Sequence, residues 1–167
     1  AEDGAQLPRR TLLCSAPAAS LAGGGLAFAE PAAVRTASGL EYQDFKVGAG
    51  DCPLPGARVT VDYVMMTTGA RYGAKIDSTK DRDAPYSFVL GDPSVIAGLQ
   101  EAVQTMRPGG IRRVIIPSSL GYTDETKGPI PPGSGEYQRF KNIYQNINRA
   151  YQPDLVFDVK LFAPGNP

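Results

Sequence analysis

Short segments that alternate between apolar and polar residues restrict the folds open to this chain. In Arg58–Thr67 the side chains of Val59, Val61 and Tyr63 fall on one face, as they do in a half-buried strand. Turn residues such as glycine and proline separate segments of this kind along the sequence. Four further segments have strand character, namely residues 40–45, 86–90, 111–117 and 155–162.

One segment between these strands, residues 92–106, has the pattern of an amphipathic helix. Asp92 suits the N-cap and Pro93 the first helical position, while Pro108 and the two glycines after it end the helix. One helix among several strands predicts an α+β fold, in which an antiparallel half-barrel sheet wraps around one short helix. The predicted apolar face of that helix consists of Val95, Leu99, Ala102 and Met106.

The composition excludes several classes of chemistry. The chain has no histidine, which rules out histidine-based triads, histidine zinc sites and histidine proton shuttles. Its 17 Lys and Arg residues balance 17 Asp and Glu residues, so no net charge favours nucleic acid. Of the two cysteines, Cys14 lies in the leader described next, which leaves Cys52 alone in the mature domain. We therefore expect no cofactor, no metal site and no internal disulfide there.

The first 29 residues have the layout of a twin-arginine export signal. Arg9-Arg10 precede a weakly apolar stretch rich in alanine and glycine, and Ala27-Phe28-Ala29 offers the small residues that a signal peptidase reads. The stretch is too weakly hydrophobic for a permanent anchor, so we expect no stable transmembrane segment after signal removal. A disordered or helical N-terminal extension is the alternative. Residues 30–38 are predicted to be a linker.

Several short motifs follow one another in a fixed order. They are Val61-Asp62-Tyr63, an Ile76-Asp77-Ser78 turn, an Asp81-Arg82-Asp83 loop, Gly91-Asp92-Pro93-Ser94-Val95-Ile96, Met106-Arg107-Pro108-Gly109-Gly110, Leu120-Gly121-Tyr122, Ile130-Pro131-Pro132 and the strand at 155–161. In this order they resemble the FKBP-type peptidyl-prolyl cis-trans isomerase domain. The resemblance extends from Ser38 to Phe162. It places the domain at residues 39–163, followed by a short tail at 164–167.

The resemblance implies an isomerase (rotamase) that assists protein folding and acts on proline-containing peptides or proteins. It implies catalytic roles for Tyr63, for the pocket carboxylate Asp77, for the Tyr122 phenol and for the backbone N–H of Ile96. In the family the phenol and the N–H donate hydrogen bonds to ligand carbonyls, and the residue matched by Arg82 holds the carboxylate in place. The remaining substrate-binding positions are the walls Ile76, Tyr86, Phe88, Val95, Leu99, Ile130 and Phe157.

Three positions depart from the family pattern. Leu99 replaces the usual Trp of the pocket floor, Ile76 replaces a usual Phe, and Asp62 stands where His often precedes the pocket Tyr. Loss of the indole removes flat surface on which a prolyl ring rests, so we expect a wider and weaker site. Core packing is the alternative interpretation of three wall residues taken singly, Phe88, Val95 and Phe157.

Residues 133–154 form an insert that the resemblance does not account for. Large side chains occur there at spacings of 3, 4, 3 and 4, which predicts an extra helix before the last strand, ended by Pro153. This stripe either docks on the domain's own surface or forms a partner-binding face. Its members are Tyr137, Phe140, Tyr144, Ile147 and Tyr151.

The leader and the insert leave two functions open. A twin-arginine signal implies a thylakoid lumen or a bacterial periplasm, and the resemblance to lumenal FKBP-type proteins of chloroplasts favours the lumen. The first hypothesis is a folding catalyst. The alternative is a non-catalytic FKBP-like subunit or assembly factor of a photosynthetic thylakoid membrane complex, which would bind through the inserted helix.

Overall fold

Seven strands and two helices make up the part of the chain that the computed structural model describes, residues 32–68, 73–144 and 152–163. The strands are β1 (Val34–Arg35), β2 (Glu41–Lys46), β3 (Arg58–Thr67), β4 (Ala74–Ser78), β5 (Tyr86–Val89), β6 (Ile111–Ile116) and β7 (Leu155–Leu161). The helices are α1 (Ala97–Gln104) and α2 (Ser134–Tyr144), with a 3-10 turn at Ser118–Leu120. The predicted leader and tail from residue 164 lie outside these residues.

All seven strands belong to one antiparallel sheet, which confirms the predicted fold class. The strand order is β1-β2-β6-β7-β3-β4, and the sheet is open. β3 is the longest strand and also pairs with β5 through its first half, while β4 pairs with its second half. The predicted strand at Arg58–Thr67 coincides with β3, and α1 packs on the sheet at β6.

Alternating burial along β3 explains how the core forms. Val59, Val61, Tyr63 and Met65 are all buried, and the residues between them face outward. The opposite wall of the core is α1, whose buried face includes Leu99, Ala102 and Val103. Gly98 permits close contact between α1 and β6, because a Cβ there would lie 2.3 Å from Cγ2 of Ile116.

The helix α1 begins four residues later than predicted. Asp92 does not cap it. Its side chain accepts a hydrogen bond from the Ser94 N–H (2.8 Å), and its carbonyl accepts one from the Val95 N–H (3.2 Å), which closes a tight turn. Ile96 is then extended (φ −57°, ψ 136°) and serves as N-cap without a side-chain cap. The side-chain amide of Gln100 donates to the carbonyls of Asp92 and Val95 in this turn and so holds the turn against the helix.

Two short strands replace segments that the sequence analysis placed in a turn and a linker. The Ile76-Asp77-Ser78 motif lies in β4, where Asp77 is paired with Met65 of β3. The predicted linker contributes β1, which adds to the edge of the sheet through β2. In both cases pairing with a neighbouring strand, β2 or β3, makes the segment a strand.

A buried ion pair joins β2, β6 and α1. The guanidinium of Arg112, 4% exposed, donates to both carboxylate oxygens of Asp44 at 2.6 and 2.8 Å. It also donates to the Ala102 carbonyl (2.9 Å) and to the hydroxyl of Thr105 (2.5 Å). The Tyr42 ring lies 3.9 Å from the guanidinium carbon. This one side chain therefore fixes the end of α1 to the sheet.

The cysteine expectation is wrong, because Cys52 is disulfide-bonded in the structure. The other cysteine of the chain, Cys14, lies outside the described residues.

Among the residues that the structure describes, no helix has the length and apolar character needed to cross a membrane.

Candidate functional site

A buried polar group lies at the centre of the predicted site. The Tyr63 hydroxyl on β3 donates to Asp77 Oδ2 on β4 at 2.5 Å. The Arg82 guanidinium pairs with the other Asp77 oxygen and also donates to the Tyr63 hydroxyl at 3.1 Å. Asp77 is only 3% exposed, so the arginine compensates a carboxylate that would otherwise be costly to bury. The antiparallel pairing of β3 with β4 brings Tyr63 and Asp77 together, and Arg82 reaches them from the loop after β4.

Burial keeps the hydroxyl groups of this site protonated. Desolvation, followed by the hydrogen bond to Asp77, raises the pKa of Tyr63. Burial also raises the pKa of Tyr122 well above its ordinary value, and that of Tyr86 as well. Each phenol therefore remains a hydrogen-bond donor throughout the physiological pH range.

Aromatic rings surround the Tyr63 side chain. The Tyr86 ring meets it edge-on at 6.1 Å between centroids, and the Phe157 ring is tilted against it at 5.4 Å. Phe88 stacks on Tyr86 at 5.5 Å. These contacts bring together β3, β5 and β7 and form an apolar wall beside the Asp77 carboxylate.

The structure also packs most of the predicted wall residues into the core. Tyr86 is half-buried, and Ile130 is the most exposed of the set at 37%. The family's floor and flanking positions, Leu99 and Ile76, are buried at 0% and 2% exposure. The other buried members are Phe88, Val95, Ile96 and Phe157. Both departures from the family pattern therefore lie in the interior of the domain.

Both predicted hydrogen-bond donors are engaged with the chain itself. The Tyr122 hydroxyl donates to the Pro129 carbonyl at 2.6 Å. The Ile96 N–H donates to the Gly128 carbonyl at 3.0 Å, and the Gly128 N–H donates to the Ser94 carbonyl at 2.7 Å. The peptide bond between Gly128 and Pro129 is cis. No sequence motif in this loop indicated such contacts, so Gly128 and Pro129 were not predicted as part of the site.

The first half of the inserted stripe packs against Tyr122. The rings of Phe140 and Tyr144 on α2 lie 4.6 and 5.8 Å from the Tyr122 ring, and both side chains are buried. This placement agrees with docking on the domain's own surface and leaves neither side chain open to a partner. Tyr137 is 38% exposed. The remaining stripe residues, Ile147 and Tyr151, lie outside the described residues.

A cleft of about 420 Å³ lies beside the buried carboxylate. Asp77 and Arg82 contribute to its lining, and so do Glu136 and Arg139 from the start of α2. The insert therefore forms part of the rim of the candidate site. The described residues contain no cluster of side chains suited to a metal ion.

Comparison with known proteins identifies the family. The family model described as FKBP-type peptidyl-prolyl cis-trans isomerase matches residues 50–162. Among curated proteins, the chain is similar to FKBP17-1, chloroplastic, of Arabidopsis thaliana, with 34% identity over 149 residues, 82% of this chain and 65% of that protein. It is 42% identical to FKBP16-3, chloroplastic, of the same plant, over 79% of this chain and 52% of that protein. The chain thus spans one half to two thirds of these relatives.

A bacterial relative and two solved structures agree with this result. The FK506-binding protein of Neisseria meningitidis is 38% identical over 56% of this chain and 84% of that protein. The crystal structure of AtFKBP13 superposes with a TM-score of 0.58 at 25% identity, covering 79% of this chain and 98% of that one. FkpA from Escherichia coli gives 0.56 at 27% identity, covering 78% and 50%. The chain belongs to the FKBP-type peptidyl-prolyl cis-trans isomerase family.

Proposed function

We propose that this chain catalyses rotation about X-Pro bonds and so assists protein folding. Amide resonance sets a barrier of about 18–20 kcal/mol, and uncatalysed rotation takes about 10–100 s. Lowering this barrier needs no nucleophile, metal or redox group, only tighter binding of the twisted amide than of the planar one. A histidine-free site of aromatic walls and fixed donors suits this requirement. The observation that carries the proposal is the buried Tyr63–Asp77–Arg82 group.

Each part of the site has a distinct proposed role. The apolar walls exclude water from the substrate carbonyl and so remove hydrogen bonds that favour the planar resonance form. The Tyr122 hydroxyl and the Ile96 N–H hold the carbonyls that flank the proline. Asp77 faces the rotating amide as a fixed negative charge, and Arg82 with Tyr63 keeps it in position. The cleft at α2 accommodates the residues that flank the proline.

The proposed compartment is the thylakoid lumen of a chloroplast. The supporting observations are the twin-arginine pattern before residue 30 and two relatives whose names state that they are chloroplastic. Import into isolated chloroplasts, followed by fractionation, tests this proposal. Recovery of the processed protein in the stroma would contradict it, and the alternative location is a bacterial periplasm.

A binding role is the second candidate function. The chain's own carbonyls engage Tyr122 and Ile96, an arrangement that favours a non-catalytic FKBP-like subunit or assembly factor of a photosynthetic membrane complex. Tyr137 of the inserted helix is exposed and remains available to such a partner. The isomerase assay separates the two functions, because only the first requires turnover.

Replacing Asp77 with Ala should lower kcat/KM by about tenfold or more. The change removes a charge-assisted hydrogen bond, worth about 1.5–3 kcal/mol, that positions Tyr63 and Arg82. NMR exchange spectroscopy with an Ala-Pro tetrapeptide measures the rate. Asp51→Ala, the same change at an exposed loop residue, serves as the matched control. Equal activity of both variants and wild type would exclude Asp77 from the site.

The proposed activity should be constant between about pH 6 and pH 9. Raised pKa values keep the Tyr63 and Tyr122 hydroxyls protonated as the pH increases, so a loss of donors begins only above about pH 10. The chain has no histidine to titrate in the lower part of this range. The same exchange assay, repeated across the range, would contradict the assignment of these donors if it gave a bell-shaped profile near neutrality.

A further inference from the structure

We infer that the covering segment, residues 128–129, is an internal occupant of the substrate site, which binds a proline peptide only after this segment withdraws. The inference rests on the proposed function and adds its regulation. It follows from the contacts of the two hydrogen-bond donors of the site, the Tyr122 hydroxyl and the Ile96 N–H. Neither donor faces solvent, since Tyr122 is 5% exposed and Ile96 is fully buried.

Three hydrogen bonds hold the covering segment in the site. The Gly128 carbonyl accepts from the Ile96 N–H at 3.0 Å, and the Gly128 N–H donates to the Ser94 carbonyl at 2.7 Å. This pair forms a parallel bridge between Val95 and Gly128. The next carbonyl along the chain, that of Pro129, accepts from the Tyr122 hydroxyl at 2.6 Å. Two successive carbonyls thus engage the two donors that a bound X-Pro peptide requires.

The segment also contacts the apolar part of the site. A Cβ on Gly128 would lie 2.9 Å from the Tyr86 hydroxyl oxygen, so the backbone passes directly against this wall residue. The Pro129 side chain is buried. A peptide that uses the Ile96 N–H and packs beside Tyr86 would therefore overlap with the chain itself. Substrate and covering segment compete for the same atoms.

The inserted helix supports the closed arrangement. Phe140 meets the Tyr122 ring edge-on at 4.6 Å, which fixes the phenol whose hydroxyl holds Pro129. Only a few residues separate Pro129 from the start of α2 at Ser134. The position of α2 is therefore coupled to that of the covering segment, both through the chain and through Tyr122.

Competition of this kind has a thermodynamic consequence. When only a fraction of molecules is open, the apparent Kd for a peptide equals the intrinsic Kd divided by that fraction. Any change that destabilises the closed segment without touching the donors should increase binding and turnover together. The substitution Pro129→Gly does this, because it removes a buried ring and adds backbone freedom to the open state.

The test compares Pro129→Gly with wild type by titration with an Ala-Pro tetrapeptide and by the exchange assay. We expect peptide affinity and kcat/KM each to rise about twofold to fivefold. Pro55→Gly, the same change at an exposed proline outside the site, should leave both unchanged. Gly128→Ala is the second variant, in which the added methyl group would lie 2.9 Å from the Tyr86 hydroxyl oxygen, so that the segment or the Tyr86 side chain must shift. In wild type, saturating peptide should accelerate hydrogen exchange at the Gly128 amide.

The outcomes separate this inference from the proposed function. If peptide binds wild type and both segment variants equally or binds the variants more weakly, with the Gly128 amide still protected, the site does not need the segment to withdraw. That result overturns the inference and leaves the isomerase intact. If neither wild type nor the variants bind or isomerise the peptide, both the inference and the proposed function are wrong.

Discussion

Replacing Phe140 with Ala should lower the free energy of unfolding by about 3–5 kcal/mol. Phe140 is fully buried, and its ring packs edge-on against Tyr122 and at 5.8 Å from Tyr144. Its removal leaves a cavity between the inserted helix and the rest of the core. Urea denaturation followed by circular dichroism measures the loss.

Tyr137→Ala is the matched control within the same helix. Tyr137 is 38% exposed and should cost less than about 1 kcal/mol. The pair of variants decides how the insert is used, because the two roles of the stripe predict opposite results for Phe140. If Phe140→Ala unfolds as wild type does and only loses association with a partner, the side chain is part of a binding surface and the docked arrangement is wrong.

Asp44→Ala should destabilise the fold by about 3–5 kcal/mol, since it leaves the buried Arg112 guanidinium without its carboxylate. The remaining acceptors, the Ala102 carbonyl and the Thr105 hydroxyl, carry no charge. The Asp44 side chain is 30% exposed, so water can replace part of the lost contact. We therefore expect a loss of unfolding free energy near the lower end of this range.

An exposed ion pair between β1 and β2 provides the control. Arg35 and Glu41 are 3.6 Å apart and largely exposed, so Glu41→Ala should cost about 0–1 kcal/mol. Chemical denaturation of both variants in the same buffer gives the comparison. Equal stabilities of Asp44→Ala and Glu41→Ala would show that the Arg112 ion pair does not hold α1 to the sheet.

Local patterns predicted the parts of the fold that depend on one buried face. The alternation in Arg58–Thr67 predicted β3, because each inward residue is buried in the core and most outward ones are only partly buried. The same patterns failed where a distant segment supplies the partner. Asp92 and Pro93 form a good helix start by composition, but the bridge to Gly128 keeps Val95 and Ile96 extended. β4 exists because β3 pairs with it, and its own residues do not show this.

In the candidate site, too, the sequence predicted some contacts and not those made by a distant segment. The motif order was sufficient to bring Tyr63, Asp77 and Arg82 together, since these residues lie on paired strands and the loop that follows. The contacts of residues 128–129 were not predictable, because they depend on how an irregular loop folds back over the helix start. The sequence did not decide whether Phe140 packs on the domain or faces a partner, for a related reason. A helical stripe shows which side chains face one way, but not what covers them.

The proposed isomerase activity is tested by measuring the catalysed exchange itself. NMR exchange spectroscopy on an Ala-Pro tetrapeptide, with the folded chain at a small fraction of the peptide concentration, measures the cis-trans interconversion rate. We expect a rate that rises in proportion to added protein and falls back on adding excess competing proline peptide. An interconversion rate equal to that in buffer, for wild type and for Pro129→Gly alike, would contradict the assignment of prolyl isomerase activity.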